Sequence, residues 1–79
     1  MYITTDPFFM EAYDEVPSLR EAKKVIRSLI SAMRKKKTRK VQVTMTLYNG
    51  VQTTLVYYRE DESPWRFKKR LIEEAKKHL

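Results

Sequence analysis

Apolar residues recur at helical spacing between positions 19 and 33. At about 100° per residue, Leu19, Ala22, Val25, Ile26, Leu29, Ala32 and Met33 share one side. Arg20, Lys23, Lys24, Arg27, Ser31, Arg34 and Lys35 fall around the opposite direction, and all but Ser31 are cations. This predicts an amphipathic helix from Leu19 to about Lys35. "SLRE" opens it as a capping box, in which Ser18 and Glu21 satisfy each other's backbone donors. Lys36 would rotate onto the apolar face, so the helix should end before it and "KKKTRK" reads as a basic turn.

From Lys40 the period changes from helical to alternating. "KVQVTMTLYNGVQTTLVYYR" is rich in β-branched and aromatic residues on both sides of Asn49-Gly50, a strong signal for a hairpin with a two-residue type I′ turn. Such a turn pairs Tyr48 with Val51, Thr46 with Thr53, Thr44 with Leu55, Gln42 with Tyr57 and Lys40 with Arg59. Val41, Val43, Met45, Leu47, Val56 and Tyr58 then form the core face, and Tyr57 points outward. Beyond "EDES", Ser63 caps a last helix with Pro64 at its first position, and Phe67, Leu71, Ala75 and Leu79 make its apolar stripe.

The N-terminal stretch is read in two parts. In "TDPFFMEAYDEV", Asp6 suits an N-cap, Pro7 the first helical position, and Phe9 and Tyr13 are four apart, which suggests a short first helix ended by Pro17. "YITT" at 2–5 is available as an extra strand. The expected class is therefore α+β in one domain over 1–79. It comprises a short helix, a long amphipathic basic helix, an antiparallel β-hairpin and a C-terminal helix packed on one sheet face. A lone two-stranded sheet is marginal in water and leaves its edges open. With Val51, Leu55 and Tyr57 on its outer face, these edges suggest a homodimer.

Composition supports folding and narrows the chemistry. A chain of 79 residues with 42% hydrophobic residues, 11% aromatics and a single Gly is too apolar for a disordered basic tail. Having no Cys excludes disulfides and thiolate zinc sites. One Gly excludes glycine-rich phosphate loops, and His78 lacks the partners of a base-activated triad, so catalysis is not expected. Glu60, Asp61 and Glu62 precede the Ser63 cap, where they complement a helix dipole, and no metal or cofactor is implied. No apolar run approaches the roughly 20 residues of a membrane span. The first residues carry acids where a signal peptide carries cations. A cytoplasmic protein without membrane partners is the simplest expectation.

The charge is segregated. The formal net charge is +7, yet residues 1–17 hold four acids and no Lys or Arg, whereas residues 18–40 hold ten cations against Glu21 alone. Such an excess attracts nucleic acid and other polyanions. The candidate nucleic-acid-binding residues are Arg20, Lys23, Lys24, Arg27, Arg34, Lys35, Lys36, Lys37, Arg39, Lys40 and Arg59, with Tyr57 as an outward ring on which a base could stack. Trp65 reads as a packed anchor of the last helix.

Two function classes fit. In the first, the chain is a non-catalytic nucleic-acid-binding protein. RNA or a structured single strand is favoured over DNA, because no helix-turn-helix or zinc-finger pattern supplies base-edge readers. In the second, it is an inhibitor or adaptor whose cationic helix docks on an acidic protein, such as a toxin or a nucleic-acid-processing enzyme. The order of helix, strands and basic last helix ("FKKRLIEEAKKHL") resembles that of double-stranded-RNA-binding domains, although two strands stand after the long helix where that family has three. The short, basic, aromatic-rich character also resembles the small accessory proteins with which large tailed phages inactivate host defence or toxin systems. That likeness implies an RNA or a toxin-like protein as partner.

Overall fold

A computed structural model describes residues 1–6, 9 and 12–79, and only the backbone at 12–14. The chain is α+β, with elements in the order β1 (Tyr2–Thr5), β2 (Ala12–Glu15), α1 (Leu19–Lys36), β3 (Lys40–Thr46), β4 (Gln52–Tyr58) and α2 (Pro64–His78). The four strands form one antiparallel sheet in the order β2-β1-β3-β4.

Both expected long helices form, each for the reason its sequence suggests. Ser18 Oγ accepts the Glu21 N–H at 3.3 Å and opens α1. Only this half of the expected capping box is present, because the Glu21 carboxylate turns to Lys24 Nζ at 3.5 Å. At the other end, Lys37 adopts the left-handed conformation (φ 51°). The Lys37 N–H donates to the Arg34 carbonyl and the Thr38 N–H to the Met33 carbonyl, a Schellman termination. Ser63 Oγ accepts the Arg66 N–H at 3.2 Å and opens α2 at Pro64.

One face of the sheet carries the core. Ile3, Val41, Val43, Met45 and Tyr57 pack with Ala22, Ile26, Leu29, Ile30 and Met33 of α1 and Phe67, Leu71 and Ala75 of α2. The helices therefore lie on the same side of the sheet and also pack on each other. The opposite face mixes threonines with Tyr2, Val56 and Tyr58. Thr4, Thr44 and Thr54 form a row across three strands, with Thr44 Oγ1 and Thr54 Oγ1 3.0 Å apart.

The N-terminal reading needs correction. The expected short first helix does not form at Ala12–Glu15, which is strand β2, while positions 7, 8, 10 and 11 of that stretch lie outside the described residues. Asp6 does cap, but a turn: its Oδ1 accepts the Phe9 N–H at 3.0 Å and its Oδ2 accepts the Gln42 N–H at 2.7 Å. The same carboxylate thus fastens the end of β1 to β3. "YITT" is the strand it was available to be.

The hairpin register is also corrected, by one residue. Thr44 faces Thr54 and Val41 faces Tyr57, so β4 turns Tyr57 and Leu55 inward and Tyr58 and Val56 outward, the reverse of the expected faces. The cause is the loop. Leu47 N–H donates to the Val51 carbonyl and Gly50 N–H to the Leu47 carbonyl, which encloses three residues, Tyr48, Asn49 and Gly50. A type I′ turn needs positive φ at both Asn49 and Gly50. Among the described residues, only Lys37 and Gly50 have positive φ, so Asn49 does not meet it. Gly50, at φ 88°, takes the left-handed position that closes a three-residue loop.

Gly50→Val should therefore cost roughly 1–2 kcal/mol, through backbone strain alone. A Cβ at this position would meet nothing within 4 Å. A thermal melt checks it. An unchanged midpoint would contradict the loop conformation.

The reasons for expecting a homodimer are reduced: β1 pairs along the second edge of β3, and Leu55 and Tyr57 belong to the core face, while β4 remains an edge strand and Val51 stays exposed.

Candidate nucleic-acid interface

The cations of α1 sit where the helical pattern puts them. Arg20, Lys23, Lys24, Arg27, Arg34 and Lys35 are all exposed along a helix of 18 residues, about 27 Å at roughly 1.5 Å per residue. Among the described residues, Lys24 is the member of this set that meets a carboxylate, that of Glu21. α2 is arranged differently. Three of its six Lys and Arg residues meet carboxylates, Arg70 that of Glu62 just before the helix, Lys76 that of Glu73 and Lys77 that of Glu74. Burial pushes the Glu74 carboxyl up, but hydrogen bonds and charge from Lys77 and His78 outweigh it and hold it below the usual carboxylate range.

Helix stability explains only part of the α1 charge. Arg34, Lys35 and Lys36 occupy its last turn, where positive charge complements the dipole. Arg20 lies in its first turn, where positive charge opposes it.

The remaining candidates separate into three groups. Lys36 turns away from the α1 arc: its ammonium donates to the Phe9 carbonyl at 2.9 Å and lies 4.6 Å from the Phe9 ring centroid. Lys37, Arg39, Lys40 and Arg59 surround the junction of α1 with β3. There Arg59 holds the turn in place, its Nη1 donating to the Lys37 carbonyl at 3.0 Å and its N–H to the Arg39 carbonyl at 2.8 Å. Arg39, Lys40 and Arg59 line one depression with Tyr58 and the acidic Glu60, and Lys40 Nζ lies 5.5 Å from the Tyr58 ring centroid. Tyr57 is removed from the site altogether. It is 1% exposed, its ring stands 5.3 Å from that of Phe67, and burial pushes its phenol above the usual range. No base reaches a ring in that position.

Tyr48, an exposed tyrosine of the hairpin loop, stands at the far end of β3 from the basic turn. Its ring meets Tyr2 edge-on at 5.9 Å, and a hydrogen bond to the Glu15 carboxylate raises its pKa. An acidic neighbour makes this a poor place for a phosphate.

Besides Tyr58, a second exposed ring stands among the cations, that of Trp65. Trp65 is 57% exposed at the start of α2, with the Arg34 guanidinium 5.3 Å and the Lys68 ammonium 5.1 Å from its ring centroid. Arg27, Ile30, Ser31 and Lys35 complete a groove of about 480 Å³ between the helices. The expected packed anchor is thus a surface residue, and Lys68 joins the candidate set. A signal for both was present in the sequence. Trp65 lies two residues, about 200°, from Phe67 of the apolar stripe, and Lys68 follows it by three.

No helix among the described residues is long and apolar enough to cross a membrane. Comparison with protein-family models, with curated proteins and with solved structures returns no match to this chain.

Proposed function

We propose that this protein binds nucleic acid without catalysis, holding RNA or a structured single strand on the cationic face of α1. The observation that carries this reading is the row Arg20, Lys23, Lys24, Arg27, Arg34 and Lys35, in which only Lys24 meets a carboxylate among the described residues. An ordinary solvated helix face mixes both signs, as α2 does. Neutralising phosphates releases their counterions, which makes such a row a sequence-independent source of affinity.

Two features of the backbone support the same reading. Lys37 keeps a cation at a left-handed position that glycine occupies with less strain. The basic turn that it begins continues the charge of α1 toward Arg39 and Lys40. α1 and α2 are separated by a hairpin, not by the short turn of a helix-turn-helix, and the α1 arc offers charge for phosphates more than a pattern for base edges. RNA or a structured single strand is favoured on these grounds.

The protein purified at low salt should carry nucleic acid, seen as a raised 260 to 280 nm absorbance ratio that falls to the protein value after a high-salt wash. RNase treatment should lower the same ratio. A protein-like ratio from the outset, with an acidic protein retained in place of nucleic acid, would move the function to an inhibitor or adaptor acting through the same surface.

A further inference from the structure

We propose that the groove between α1 and α2 receives an unpaired RNA base, which stacks on Trp65 while Arg27, Arg34, Lys35 and Lys68 hold the flanking phosphates. This rests on the nucleic-acid reading above and specifies where a base, as distinct from the backbone, is bound. Trp is among the residues that gain most from burial, yet this residue is more than half exposed. Its surroundings identify what would cover it. The groove's apolar neighbour is Ile30, itself buried, and the other lining groups are the four cations and Ser31. An apolar protein surface laid on the indole would strand those cations without water or counter-charge. A nucleotide satisfies both, with a flat apolar base for the ring and a phosphate for the cations.

The ring is already positioned for this. Arg34 of α1 and Lys68 of α2 lie 5.3 and 5.1 Å from its centroid, so cations for the flanking phosphates stand at the ring before any ligand arrives and give up its face to the incoming base. Base-paired nucleotides have their faces occupied by neighbours in the stack, so the groove selects single-stranded segments, loops or bulges.

Trp65 is the single tryptophan of the chain, so its fluorescence reports the contact without labelling. The full-length protein is titrated with a short single-stranded oligouridylate, with an RNA duplex of equal length, and with heparin, a polyanion that has no bases. Affinity for the labelled single strand is measured in parallel by anisotropy for the parent, Trp65→Ala and Trp65→Phe, each checked for folding by circular dichroism. The expected result is saturable quenching by the single strand, with little by the duplex or heparin. Trp65→Ala should weaken single-strand binding about 5- to 150-fold, and Trp65→Phe should retain most of it. Heparin quenching as strong as that by the single strand would overturn the proposal. Unchanged fluorescence and an unchanged affinity for Trp65→Ala, while the parent still binds RNA, would overturn base stacking and leave the α1 interface standing. Failure of the parent to bind any RNA would remove both.

Discussion

Replacing Tyr57 by Ala should cost about 3–5 kcal/mol of stability, the usual loss for truncating a buried aromatic side chain. For a domain of this size, whose total is roughly 4–12 kcal/mol at 0.05–0.15 per residue, that is a large share. The melting midpoint should fall by at least about 12 °C, at roughly 4–8 °C per kcal/mol. The expectation follows from the register. Tyr57 faces Val41 on the covered side of the sheet and packs its ring on Phe67. Tyr58, the next residue, lies on the open face beside Lys40. Tyr58→Ala should therefore stay within about 1 kcal/mol, as exposed substitutions do. The two-residue turn would exchange these effects, with Tyr58→Ala severe and Tyr57→Ala mild. Melts of the pair decide between the registers.

That pair also shows where the sequence stopped being legible. α1 was readable because its two sides differ in kind, apolar against cationic, and α2 because Phe67, Leu71 and Ala75 repeat at one-turn spacing. In β4 both faces carry apolar residues, Leu55 and Tyr57 on one and Val56 and Tyr58 on the other, so alternation alone gives no register. The register then depends on Asn49-Gly50, which fits a two-residue or a three-residue loop. Packing of Tyr57 on Phe67 is a contact between residues of different elements, and it is absent from any local pattern.

The N-terminal stretch failed for a related reason. Asp6 followed by proline is a sound capping signal, and Asp6 does accept a backbone N–H. Its second oxygen is committed to Gln42 on β3, and Ala12–Glu15 pairs with β1. These are pairings between distant parts of the chain that override a weak helical spacing. At the interface the cationic row was legible from helical geometry alone. Trp65 is harder to place, because its large apolar ring argues for the interior while its offset from the apolar stripe points outward.

The most direct test of the interface reverses four of its charges. Arg20, Lys24, Arg27 and Arg34 all lie on the exposed arc of α1, and none of them belongs to the core cluster. Changing all four to Glu shifts the formal charge, +7 in the parent, by two units at each site. The new i,i+3 and i,i+4 repulsions should cost only a few tenths of a kcal/mol each, so the helix should remain folded. Anisotropy of a labelled single-stranded RNA is then followed with parent and variant over a series of salt concentrations. With six phosphate contacts, one for each cation of the arc, the parent's logarithm of affinity should fall against the logarithm of salt with a slope near −4, at about −0.7 per contact. The account predicts that the fourfold variant, folded by circular dichroism, shows no measurable binding at the lowest salt. A folded variant with the parent's affinity and salt slope would contradict it, leaving the cations of α1 as a solvated face.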